Sequence, residues 1–101
     1  MKFGLQSSDI EKIRKTILTN EHVEKIIIYG SRAKGNFKKG SDIDLIVTGE
    51  KIQFQDVSKI ELALDDLMLP YKIDLSRLED ITYPDLREHI ERVGVEFVNG
   101  N

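Results

Sequence analysis

Two short apolar runs dominate the middle of the chain, KIIIYG at residues 25–30 and DIDLIVT at residues 42–48. Both are rich in β-branched residues and too short for helices, so they read as strands of one sheet. The first stops at Gly30-Ser31, and a basic loop carrying Gly35 and Gly40 separates it from the second. In the second run, strand geometry puts Ile43, Leu45 and Val47 on one face and Asp42, Asp44 and Ile46 on the other.

Helical spacing flanks these strands. Ile10, Ile13 and Ile17 form one stripe, which predicts a helix over 8–19 with Ser8 and Glu11 as a capping box. Val57, Ile60, Leu64 and Leu67 predict a second helix over 54–69, stopped by Pro70. YKIDLS, residues 71–76, reads as a third strand with Ile73 and Leu75 on one face and Asp74 on the other. Pro84 suits the first turn of a last helix carrying Leu86, Ile90 and Val93, with Gly94 as its C-terminal cap. The tail VEFV adds a short edge strand. The order α-β-β-α-β-α-(β) predicts an α/β (α+β) fold, helices over a small mixed sheet, as a single domain over 1–101.

With 101 residues, the chain buries roughly 60–70% of its unfolded surface, enough for a core without staples. It has no cysteine, which excludes disulfide scaffolds and zinc ribbons. No apolar run approaches the ~18 residues of a membrane span and no signal-peptide core opens the chain, so the expectation is a cytoplasmic protein without membrane attachment. Lys and Arg total 15 against 18 Asp and Glu, net −3, whereas a domain gripping nucleic acid non-specifically is usually basic. No direct nucleic-acid partner is expected. The local basic patch is Arg32, Lys34, Lys38 and Lys39.

Asp42 and Asp44, two apart on a strand, project from one face with backbones roughly 6–7 Å apart. Such a pair can converge on one or two divalent ions, and magnesium completes its shell with water and substrate phosphate. A bare D-x-D is more often a solvated strand start, but its surroundings here favour chemistry. The Gly30-Ser31 turn exposes amides and a hydroxyl of the kind that hold phosphate, and Arg32 and Lys34 can add charge-assisted bonds. Asp74 interrupts an apolar strand, and a carboxylate there is costly unless paired or metal-bound. If its strand lies beside 42–48, Asp74 faces the same site. Pairing with Lys72 or simple exposure is the alternative.

Other motifs fail. Residues 35–41, GNFKKGS, have Walker-like glycine spacing but no lysine between Gly40 and Ser41. An EF-hand would need oxygen ligands where strand residues follow Asp42. His22 and His89 stand far apart and read as ordinary surface or partly buried residues.

Gly30-Ser31, ten residues, then Asp42-x-Asp44, with a later strand Asp74, resembles the signature of the DNA polymerase β nucleotidyltransferase superfamily. Within it the chain is similar over nearly its whole length to the minimal nucleotidyltransferases (MNT), the MntA-type antitoxins of HEPN/MNT toxin–antitoxin pairs. Arg32 fits the usual G-S-R form. The resemblance implies a palm-like sheet, ATP as donor and two Mg2+ ions, with Mn2+ as an alternative. It implies that Gly30 and Ser31, with Arg32 and Ser41, hold the nucleotide. Asp42 and Asp44 would ligate both metals, while Asp74 would ligate the catalytic metal and help deprotonate the acceptor. The implied reaction transfers AMP to a tyrosine hydroxyl of a HEPN-type RNase toxin. The R-x4–6-H motif of HEPN toxins is absent, which assigns this chain the antitoxin part.

The resemblance also implies an acceptor platform supplied by another chain, hence a hetero-oligomer. Tyr83, Val95 and Phe97 are taken as exposed apolar residues for that contact. Two further readings are an antitoxin that neutralises by occlusion without catalysis, and a small-molecule nucleotidyltransferase subunit that needs a partner acceptor domain.

Overall fold

The alternating pattern of the strands becomes a two-sided sheet in the computed structural model, which describes residues 1–99. The elements are α1 (Ser7–Leu18), β1 (Lys25–Tyr29), α2 (Gly30–Lys34), β2 (Ile43–Thr48), α3 (Phe54–Asp65), β3 (Ile73–Arg77), α4 (Pro84–Val93) and β4 (Val95–Glu96). A single 3₁₀ turn, Leu78–Asp80, links β3 to the approach to α4. The sheet order is β3-β2-β1-β4. β1 pairs antiparallel with β2 and β4, whereas β2 and β3 run parallel. A parallel pair needs a crossover, and α3 supplies it.

Period 2 sorts the strand side chains into two layers. Ile26, Ile28, Ile43, Leu45, Val47 and Leu75 pack with the isoleucine stripe of α1 and with Val57, Ile60 and Leu64 of α3. On the other face a smaller cluster joins Tyr29 and Ile46 to Ile81 and to Ile90 of α4. One helix against two leaves the α4 face only partly covered. The uncovered part lies past Ile46, toward Asp44 and Asp42. Among the described residues, no helix is long and apolar enough to cross a membrane.

Several boundaries differ from the sequence expectation. Ser8 and Glu11 form no capping box. α1 starts at Ser7 behind an N-cap Gln6 without a side-chain cap bond, and the Gln6 carbonyl accepts the Asp9 and Ile10 amides. Burial of Leu5 and Ile10 sets that entry, so Ser8 falls inside the first turn, where its side chain cannot cap. The capping box occurs instead at α3, between Gln53 and Asp56. α3 ends at Asp65 rather than 69. Met68 takes a left-handed φ of 56°, and Leu69 is barred from helical geometry by Pro70. Gly94 is an extended C-cap at φ −65°, not a left-handed one. A Cβ there would overlap the Ile90 carbonyl. Phe97, expected to be exposed, is fully buried, while Tyr83 and Val95 are exposed. The Phe97 amide donates to the Ile26 carbonyl at 2.7 Å and its ring stacks on Phe3 at 5.7 Å. The tail therefore completes the core.

Asp56 ties the start of α3 to the loop after α1. Its carboxylate accepts the Gln53 amide (2.8 Å) and Asn20 Nδ2 (3.1 Å), and it lies 3.0 Å from His22 Nδ1. The Gln53 bond first, then His22 and Asn20, hold its carboxyl down at about 2. A depressed carboxyl stabilises the fold above its unfolded midpoint, near 3.8, and loses that contribution as pH falls toward about 2. Asp56→Asn is expected to lower the melting temperature at neutral pH and to flatten its acid-side decline between about pH 4 and 2. Thermal melts across that window check this. Parallel curves for the two proteins would remove Asp56 as the anchor.

Candidate active site

Register decides what lies on the uncovered part of the α4 face. Asp44 on β2 stands opposite Tyr29 of β1 and opposite Asp74 of β3. Neighbours in register share a face of the sheet, so both carboxylates and the tyrosine point the same way. Asp42, just before β2, extends the row toward solvent. Asp44 is partly buried, whereas Asp42 and Asp74 are exposed.

The charges feel one another. Burial, then Asp74, then Asp42 push the Asp44 carboxyl above the ordinary carboxylate range. Burial, then the charges of Asp44 and Asp74, push the Tyr29 hydroxyl up to about 12. Like charges held together without a counter-charge destabilise one another, and a cation relieves them. The donor set is carboxylate oxygen, which suits magnesium or manganese rather than soft metals. Among the described residues, however, no three His, Cys, Asp or Glu side chains gather closely enough to make a metal cage by themselves. The set thus suits a hard cation that takes its remaining ligands from water and phosphate.

The turn after β1 closes on this row. Gly30 has φ +75°, a region that costs a side-chain-bearing residue about 1–2 kcal/mol. A Cβ at Gly30 would overlap Asp44 Oδ2, so glycine allows the backbone to approach the carboxylate. Ser31 follows in α2, half-exposed, with its carbonyl accepting the Gly35 amide at 2.9 Å. Gly35, at φ 91°, ends α2.

Arg32 and Ser41 are placed differently from the expected phosphate contacts. Arg32 is only 4% exposed. Its Nε and Nη2 donate to the Ser41 carbonyl at 3.1 and 2.9 Å, and Nη1 donates to the Phe3 carbonyl at 2.9 Å. Its guanidinium lies between the rings of Phe37 and Tyr71, at 5.3 and 5.4 Å. The Ser41 hydroxyl accepts the Lys38 amide at 2.8 Å. Both residues are therefore engaged in clipping the 36–41 loop to the N-terminal turn, which fixes the point where Asp42 enters β2. The sequence showed the charge of Arg32 but not the carbonyls waiting for it. Lys34, Lys38 and Lys39 are exposed.

His89 was passed over in the sequence and lies at the site. The Gly30 amide donates to His89 Nε2 at 3.2 Å, and the imidazole meets the Tyr29 ring edge-on at 6.2 Å. A signal existed: His89 falls three residues after Leu86 and four before Val93, on the stripe that faces the sheet. His22, by contrast, belongs to the Asp56 anchor.

Comparisons with known proteins bear on the family and the fold. The family model described as polymerase beta, nucleotidyltransferase matches residues 11–101. A Haemophilus influenzae protein named probable protein adenylyltransferase MntA is 38% identical over 68 residues, covering 66% of this chain. The chain spans 59% of that relative's length in the match. A solved toxin–antitoxin with AMP-PNP superposes at a TM-score of 0.70 and 20% identity, over 92% of this chain and 75% of that one. A tri-AMPylated Shewanella oneidensis HEPN toxin in complex with its MNT antitoxin gives 0.67 and 19% identity, over 93% and 72%. At these identities the two structures speak for the fold.

Proposed function

As the chain belongs to the polymerase beta nucleotidyltransferase family, we propose that it transfers AMP from ATP to a tyrosine hydroxyl of a HEPN-type toxin and thereby neutralises it. The observation that carries this reading is the pairing of Asp44 and Asp74 in register, with the Gly30 backbone closed on Asp44. Support for the acceptor comes from relatives: one is named a probable protein adenylyltransferase, and another is an MNT antitoxin complexed with an AMPylated HEPN toxin. The AMP-PNP complex supports ATP as the donor.

In the proposed reaction the acceptor oxygen bonds to the α-phosphorus as the bond from that phosphorus to the bridging oxygen breaks, and pyrophosphate leaves. Asp74, the exposed edge-strand carboxylate, receives or relays the hydroxyl proton. Gly30 makes the turn at which Ser31 offers its amide and hydroxyl to the triphosphate. Asp42 and Asp44, with Asp74, would hold magnesium, which would supply charge neutralisation for the phosphates and for the oxygens of the displacement. Arg32 and Ser41 brace the loop that delivers Asp42. The acceptor tyrosine and its platform come from the partner, making the working unit a hetero-oligomer.

The test is to incubate the purified chain with ATP, magnesium and its HEPN-type partner and to weigh the partner by mass spectrometry. Addition of AMP units and loss of RNase activity are expected. An unmodified partner that is nevertheless silenced would mean neutralisation by binding alone. An unmodified, active partner would remove the antitoxin reading.

A further inference from the structure

We propose that His89 is a positioning residue for this transfer, holding the Gly30 amide from α4 and so keeping the Gly30-Ser31 turn at its working distance from Asp44. The proposal rests on the function given above. Its starting point is the left-handed Gly30, the hinge at which β1 turns into α2. A turn of that kind has few local restraints, because glycine visits many conformations at similar energy. The Gly30 amide also opens α2, so it has no partner within the helix.

His89 supplies that partner from 59 residues away, at 3.2 Å. The Gly30 N–H donates, so Nε2 accepts and the ring proton sits on Nδ1. The ring is held in turn by its edge-on packing against Tyr29, the residue opposite Asp44. α4 itself is anchored below by Ile90, in a cluster with Ile46 and Ile81. A chain of contacts thus runs from the packed part of the α4 face to the phosphate turn. Rotation about the 29–30 peptide would break the His89 bond and change the gap between the Gly30 backbone and Asp44 Oδ2. The imidazole touches neither substrate nor reacting atoms in this scheme, and its effect passes through the backbone.

The test uses two substitutions of similar bulk. His89→Gln keeps an acceptor near the Nε2 position, and His89→Leu removes it. With the full chain and its partner, His89→Leu is expected to lower kcat roughly 10–100-fold, the range typical of a supporting residue one shell out, while His89→Gln restores most of it. Thermal melts of both variants should stay close to wild type. Amide exchange at Gly30, followed by NMR without nucleotide, should quicken in His89→Leu and remain slow in His89→Gln. Unchanged Gly30 exchange in His89→Leu would overturn the inference whatever the enzyme does. So would a glutamine variant as impaired as the leucine one. A wild-type protein that transfers nothing would instead strike at the function, a separate failure with its own reading.

Discussion

Asp44→Asn is expected to reduce AMP transfer by about a thousandfold or more and, in the same protein, to raise the melting temperature measured without metal. The first effect follows from the role proposed for the carboxylate. Charge stabilisation by a bound cation supplies several kcal/mol, and each ~1.4 kcal/mol is a factor of ten in rate. The second follows from electrostatics at the site. The Asp44 carboxyl is pushed up by burial, then by Asp74 and Asp42. A carboxyl raised in the folded state favours the protonated fold, so the native state is penalised as pH rises through that midpoint. Asparagine removes that penalty. The thermal gain should shrink as the pH is lowered and Asp44 takes up its proton. Magnesium should raise the melting point of wild type and leave that of Asp44→Asn nearly unmoved. Transfer assays and melts with and without magnesium measure both effects. A variant that transfers at the wild-type rate would remove Asp44 from the chemistry, and one that melts lower would contradict the repulsion.

Gly30→Ala is expected to damage both activity and stability. Alanine at φ +75° carries a backbone strain of about 1–2 kcal/mol, and its Cβ would overlap Asp44 Oδ2. Either the carboxylate swings away or the turn lifts from the sheet. A displacement of about 1 Å at a reacting centre can cost ~100-fold in rate. Gly35→Ala is the control, because Gly35 also has a positive φ, 91°, but a Cβ there meets nothing within 4 Å. It should lose comparable stability and keep its activity. Equal activity loss in the two variants would show that backbone strain, rather than the approach to Asp44, governs the turn. Calorimetry together with the transfer assay separates the outcomes.

The strands and the three longer helices were legible because their information is local, whereas the short α2, Gly30–Lys34, was read as loop. The alternation in DIDLIVT places Asp42, Asp44 and Ile46 on one face, and the isoleucine stripe of α1 requires no knowledge of its neighbours. Glycine followed by serine at the end of a strand, with acids further on, set the expectation of phosphate and metal from residue chemistry alone. Boundaries were less legible. α3 stopped short because Met68 turns left-handed ahead of the Leu69-Pro70 pair, and Ser8 caps nothing because α1 begins a residue earlier, behind Gln6.

Partnerships across long stretches of chain were hidden. Arg32 looked like a phosphate ligand, yet its donors go to carbonyls at Phe3 and Ser41. His89 read as an ordinary surface or partly buried residue; it is partly buried, and its reach to the Gly30 amide was hidden. Phe97 looked exposed, yet β4 pairs with β1 and carries it inward. Local periodicity and residue chemistry therefore reached as far as the strands, their two faces and the acidic pair at the entry of β2. The opposition of Asp74 to Asp44 and the company kept by Arg32 and His89 came from folding, since strand register and hydrogen-bond partners arise from packing between segments remote along the chain.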